Sequence, residues 1–180
     1  MHVCDLIDFL LFINQWDNHP CNFDPSKLIL IGHSCGAHMI STLFFMSTEE
    51  MKLCPPILES TKAVILSEGI YDVDSLLRSF PKYRDWFVEP AFGPDSYHKS
   101  SILNSTLHHG VDFPWLLIHS EGDTLVDVYQ TTEMHNHLRD SKANVTISLF
   151  DVVGEHDAIL ETEKYVDVVK AFLLPKRSTL

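Results

Sequence analysis

Positive charge is scarce in this chain: 13 Lys and Arg stand against 25 Asp and Glu in 180 residues, a formal net charge of −12. No block of basic residues offsets that balance, so the face that phosphate binding requires is missing and no nucleic-acid partner is expected. An acidic membrane surface is disfavoured on the same ground. Long apolar runs are also missing. None approaches the roughly eighteen residues of a spanning helix, so a membrane partner is not expected either. The four cysteines, Cys4, Cys21, Cys35 and Cys54, lack the spacing of a metal site. A reduced, cytoplasmic compartment is the simpler reading, and the sequence calls for neither a metal nor another cofactor. Two glycosylation sequons, at Asn104 and Asn144, matter only in a secreted protein. What the chain has in quantity is apolar and aromatic, 45% and 11%. That excludes disorder and suits one domain spanning residues 1–180.

The apolar stretch Leu6 to Ile13 reads as part of the fold. Asp5 and Asp8 replace the positive charge of a secretory signal, and Val3, Leu6, Ile7, Leu10 and Leu11 repeat at helical spacing. Beyond it, strands and helices alternate. Short β-branched and leucine-rich runs predict strands at Lys27–Ile31, Ala63–Leu66, Trp115–His119 and Val145–Phe150. Helices are predicted from Cys35 to Met46, from Val126 to Arg139 and from Ala158 to Leu173, with Pro55-Pro56 closing the first excursion. This order predicts an α/β fold, a mostly parallel sheet flanked by helices. The connection from about Tyr71 to Phe113 is too long for a plain crossover. It carries Phe80, Tyr83, Trp86, Phe87, Phe92 and Tyr97, so it reads as a lid-like insertion, a small core of its own, or both.

The chemistry is carried by Gly32-His33-Ser34-Cys35-Gly36, a G-x-S-x-G between a buried strand and a helix. There Ser34 must occupy a sharp turn that projects its hydroxyl above the sheet edge. Gly32 and Gly36 are expected to let neighbouring backbone approach without a Cβ clash. The Cys35 amide, at the start of the new helix, is then aimed at a developing oxyanion. A serine nucleophile needs a base, and the base an orienting acid, in the chain order Ser, Asp or Glu, His. Asp123 follows the strand Trp115–His119 and His156 follows the strand Val145–Phe150, so both loops leave the same sheet edge.

Rivals exist among the eleven histidines. His33 flanks the serine and is expected to point away from its hydroxyl. His38 reads as packing or a solvated face, and His135 and His137 as positions on a surface helix. His108-His109-Gly110 follows the nucleophile, where an oxyanion loop does not belong. Asp127 is the nearest competing acid, and the Cys35 thiol a weaker alternative to its amide.

These residues resemble the α/β-hydrolase superfamily, and within it the kynurenine formamidase (arylformamidase) branch of fungal type. The likeness runs through Gly32-His33-Ser34-Cys35-Gly36-Ala37-His38, Glu68-Gly69-Ile70-Tyr71-Asp72 and Trp86-Phe87-Val88-Glu89-Pro90-Ala91-Phe92-Gly93. It implies hydrolysis of N-formyl-L-kynurenine to L-kynurenine and formate, in the kynurenine pathway of tryptophan catabolism. Ser34 would be the nucleophile, Asp123 the acid and His156 the base. Tyr71, Trp86 and Phe87 are expected to line the pocket for an aryl formamide or ester. The family's upstream H-G-G-x-W loop has no counterpart in the sequence, so the chain matches the C-terminal portion of the fold. The strand Lys27–Ile31 is then expected to be an unpaired edge, which leaves a homodimer open. The oxyanion hole is expected to keep one donor, the Cys35 amide. A general carboxylesterase and an inactive hydrolase-like protein remain the alternatives.

Overall fold

The computed structural model describes residues 2–17, 19–45, 55–94 and 96–174. Four parallel strands form one sheet in the order β1-β2-β3-β4: β1 Leu28–His33, β2 Thr61–Ser67, β3 Trp115–His119 and β4 Val145–Leu149. Strand order follows chain order, so each connection crosses one face of the sheet and returns beside its predecessor. Helix α1 (His2–Asn14) precedes the sheet, α2 (Cys35–Phe44) and α3 (Pro55–Ser60) join β1 to β2, and α4 (Val73–Ser79) opens the long insertion. A one-turn helix, α5 (Glu89–Phe92), continues a wide turn at Arg84–Val88. After β3 comes α6 (Val128–Asp140), and α7 (Glu163–Leu173) ends the described chain.

Burial explains the sequence pattern. Every residue of β3 is buried, as are six of the seven in β2, because helices cover both faces of the sheet's centre. On one face Leu30, Leu66, Trp115 and Leu117 pack against Phe44 of α2 and Met134 of α6. On the other, Ile65, Leu116 and Ile118 meet Ile159 and Tyr165. β1 departs from this pattern. Its Leu28 and Leu30 face the core, while Ile29 and Ile31 are exposed. With β2 on one side only, β1 is one of the two edge strands among the described residues, β4 being the other.

Several boundaries differ from expectation for identifiable reasons. β1 runs on through Gly32 and His33, which pair with Leu66 and Ser67 of β2. β2 likewise starts two residues early and ends one late. Pro55-Pro56 begins a helix instead of closing one; proline suits a first helical turn, whose N–H groups have no partner in any case. The helix expected to reach Met46 ends at Phe44, and Met46 and Cys54 lie outside the described residues. The closing helix is broken at Thr162, whose hydroxyl accepts from Tyr165 N–H and caps a fresh start. The insertion does form a small core, with Ile70, Val73, Leu76, Val88, Tyr97 and Val126 buried together and Phe80, Tyr83 and Phe87 packed against them.

Candidate active site

The elbow at Ser34 is a steric consequence of its neighbours. Ser34 adopts φ 53°, a left-handed conformation that costs a non-glycine residue energy, and it leads directly into α2. Its N–H remains tied to Ser67 O at 2.9 Å, so the turn stays sewn to β2 while the chain reverses. A Cβ at Gly32 would lie 2.7 Å from Gly36 O and 2.8 Å from Ala37 N, so only glycine fits beneath the helix start. Gly36 itself has nothing within 4 Å of such a Cβ, which corrects the expectation that both glycines permit a close approach. Cys35, exposed and unbridged, opens α2 where helical N–H groups lack intrahelical acceptors.

The loops after β3 and β4 are fastened to one another. A Cβ at Gly122 would fall 2.5 Å from Gly154 O, and the Ser120 hydroxyl donates to that same carbonyl at 2.7 Å. Asp123 is fixed within this clasp: its Oδ1 accepts from Leu125 and Val126 N–H at 2.8 and 3.0 Å. Its Oδ2 then lies 2.9 Å from His156 Nδ1. Both side chains are almost wholly buried. Burial pulls the His156 imidazole down, but the Asp123 and Glu68 carboxylates outweigh it and leave its pKa at about 9. Burial raises the Asp123 carboxyl, and the His156 contact with the two backbone donors carries it below its ordinary value. Because Nδ1–H is directed at Asp123, Nε2 is the nitrogen that faces away from the acid.

Two neighbours of His156 were not singled out as site residues by sequence. Glu68, the first residue after β2, is fully buried and has its Oε2 3.2 Å from His156 Nδ1. The His33 ring meets that of His156 at a tilt of 49°, with centroids 4.6 Å apart. Its Nδ1 lies 3.1 Å from Ser67 Oγ and its Nε2 3.4 Å from Asp157. Burial and then the charge of His156 lower the His33 pKa, keeping that ring neutral. Among the described residues no hydrogen bond joins Ser34 to His156. Two groups, Glu68/Asp123/His156 and His33/His156/Asp157, have one donor atom each within 4.8 Å of the others. The first is already committed to the Nδ1–H contact, and a cation there would have to displace that proton.

The remaining candidates fall into place as structural residues. His38 is buried with Nδ1 3.0 Å from Ile70 O, and His108 accepts from Gly110 N–H within a turn. His137 is part-buried against Phe45 with Nε2 2.9 Å from the Ser105 carbonyl, so it is not a plain surface position. Asp127 stands at the start of α6, and its carboxylate oxygens accept no hydrogen bond. Tyr71 corrects the pocket expectation. Its ring is fully buried in the main core and its hydroxyl lacks a partner, so it presents no surface to a ligand. Trp86 points outward at 71% exposure, with Tyr83 and Phe87 as its aromatic neighbours, and Phe87 is half-buried. A groove of about 620 Å³ lies at the other end of the strands, lined by Pro55, Leu58, Thr61, Lys62 and Phe113, away from this chemistry.

Comparison with known proteins gives these features a context. A profile of the prolyl oligopeptidase family matches residues 3–172. The chain is similar to kynurenine formamidase avaC of Aspergillus versicolor, 30% identical over 157 residues covering 74% of this chain and 54% of that protein. It is similar also to a kynurenine formamidase of Scheffersomyces stipitis, 23% identical over 187 aligned positions covering 91% of this chain and 67% of that protein. The chain therefore spans about half to two thirds of the length of these curated relatives. Esterase B from Lactobacillus Rhamnosis superposes with a TM-score of 0.72 at 17% identity, over 95% of this chain and 58% of that one. The shared architecture is that of the α/β-hydrolases. No helix among the described residues is long and apolar enough to cross a membrane.

Proposed function

The chain belongs to the prolyl oligopeptidase family of α/β-hydrolases, and from that premise we propose that it is a serine hydrolase that cleaves an aryl formamide, N-formylkynurenine, to kynurenine and formate. The observation that supports this reading most is the Asp123–His156 contact at 2.9 Å, on the rim where strained Ser34 opens α2. The substrate class rests on the likeness to fungal kynurenine formamidases.

In this reading the neutral form of His156, reached as pH rises toward its pKa of about 9, takes the Ser34 proton at Nε2 as the hydroxyl oxygen attacks the formyl carbon. Catalytic hydrogen bonds are often long in unliganded enzymes and tighten with substrate, so the step asks Ser34 to close on Nε2 as substrate binds. Asp123 holds the tautomer with Nδ1–H and stabilises the imidazolium. The Cys35 N–H stabilises the tetrahedral oxyanion. Collapse expels the arylamine, which takes the proton back from His156 and leaves a formyl ester on Ser34. Water, deprotonated by the same imidazole, then releases formate.

A second reading, a carboxylesterase of broader acyl range, is favoured by Tyr71 and Trp86. One is sealed in the core and the other turned to solvent, so neither encloses an aromatic ring. Purified protein should turn over N-formylkynurenine well above short-chain aryl esters, and Ser34→Ala should abolish both. Ester turnover exceeding that of the formamide would select the second reading, and full turnover by Ser34→Ala would defeat both.

A further inference from the structure

We propose that Glu68 is a second carboxylate of the relay, a positioning residue that shares His156 Nδ1 with Asp123 and keeps the imidazole oriented when Asp123 is altered. The inference rests on the reading of His156 as the general base, and it concerns a residue outside the Ser34–Asp123–His156 set.

Glu68 is placed with unusual firmness for a carboxylate. It follows the last residue of β2 with φ 49°, a left-handed conformation held while its N–H donates to Ile118 O at 2.9 Å. The strain turns a charged side chain inward, where it is fully buried. Its Oε1 accepts from Ser120 N–H at 3.3 Å. Its Oε2 has no hydrogen-bond donor, yet lies 3.2 Å from His156 Nδ1. The two facts are consistent: Nδ1–H is aimed at Asp123, 2.9 Å away, so Glu68 meets the ring's charge off the N–H axis. A buried carboxylate oxygen with no donor is costly to keep unless a cation faces it, and the imidazolium that His156 becomes on taking a proton is the cation at hand.

The other groups facing His156 do not take over this role. His33, from the end of β1, lies on the ring as a neutral imidazole. His119, on β3, is buried with Nδ1 bonded to Thr131, and burial lowers its pKa. Asp157, on the same loop as His156, is 86% exposed and directed at His33. Among the described residues, only Asp123 and Glu68 bring negative charge to Nδ1 at contact distance. If Asp123 is neutralised, a small rotation of the ring carries N–H from Oδ2 to the waiting Oε2, so the tautomer survives.

The test is the titration of His156 followed by NMR in the intact chain, with His156→Gln assigning the resonance. The wild-type midpoint is expected well above that of a free histidine. Glu68→Gln should lower it by about 1 pH unit or more, as loss of one contacting opposite charge does. Asp123→Asn should leave it raised, and the double variant should bring it to the ordinary value of about 6.5 or below. An unchanged midpoint in Glu68→Gln overturns the proposal. Should Glu68→Gln not fold, Asp123→Asn decides alone: a midpoint still above 6.5 supports Glu68, and one at or below 6.5 overturns it. In turnover, Asp123→Asn should lose less than the roughly 10⁴-fold seen where one acid alone orients the base. The rising limb of its pH profile should track the NMR midpoint. Turnover by Ser34→Ala would defeat the hydrolase reading and leave the titration, and so the inference about Glu68, standing or falling by itself.

Discussion

His156 is touched from three strand ends, by His33 at the end of β1, Glu68 after β2 and Asp123 after β3, all with little or no exposed side chain. Trp86, by contrast, stands in the insertion with 71% of its surface exposed and only Tyr83 and Phe87 beside it. The acid–base half of the site is thus determined by the sheet, whose register fixes where each strand ends. The insertion, proposed to carry the substrate contacts, has a core of its own, which Ile70 and Val126 join from either side of it in sequence. Proton-transfer machinery tolerates little displacement, and the fold places it at the ends of paired strands. Substitutions that strike the two halves should therefore differ sharply in size.

The largest effect belongs to the hydroxyl. Ser34→Ala is expected to reduce turnover by at least about 10⁴-fold while leaving the unfolding transition within about 1 kcal/mol of the parent. Steady-state rates and a denaturant titration check both. Next is the glycine beneath the elbow. Gly32→Ala drives a Cβ to 2.7 Å from Gly36 O, backbone that cannot swing aside, and should cost about 3 kcal/mol of stability along with most of the activity. Gly36→Ala, with open space at its Cβ, should cost far less, and that contrast is the sharper measurement.

The strand-turn-helix run around Ser34 was legible because it is local: a buried strand, two glycines and an apolar helix lie within a few residues. Asp123 and His156 were legible because parallel topology sends every strand end to one rim. Glu68 and His33 were not, because their placement depends on the pairing of His33 with Ser67 and on one left-handed residue after β2. Neither leaves a mark in hydropathy. Tyr71 was misread for a related reason. Its place in a motif suggested the site, but its ring turns into the core under Gly69, where a Cβ would meet its hydroxyl. The helix after β3 starts at Val128, not Val126, because the Asp123 carboxylate first holds a turn by binding two N–H groups.

The buried pair should also be visible in the pH dependence of folding. His156 titrates near 9 in the folded chain and near 6.5 unfolded, so its contribution is complete below 6.5 and is lost as pH rises through 9. Asp123 has the opposite sign: its lowered pKa contributes above 3.8 and fades as pH falls through the folded value. The pair is therefore most stabilising between about pH 4 and 6.5, and thermal melts should fall from there toward pH 9 by an amount on the order of 2 kcal/mol. His156→Gln should flatten that slope. Smaller still is Tyr71→Phe. Its hydroxyl is buried with no partner, so removing the oxygen relieves a desolvation cost and should leave the fold unchanged or about 1 kcal/mol more stable.

Trp86→Ala is expected to have the smallest effect on folding, within about 0.5 kcal/mol, since the ring surrenders little surface that folding had buried. The wide turn that carries it is anchored by Val88 and by the stack of Tyr83 on Phe80 at 5.0 Å, and the substitution removes only a tilted neighbour of the Tyr83 ring. With the ring turned to solvent, kcat should also stay within about twofold, well under 1 kcal/mol of transition-state stabilisation. KM for the aryl formamide is the quantity to watch. A tenfold rise in KM with kcat unchanged would mean that the insertion folds over bound substrate and brings Trp86 to the ring, erasing the contrast between the two halves once ligand is present. An unchanged KM, with Phe87→Ala raising it instead, would assign the aromatic contact to the half-buried residue that already packs on the insertion's core.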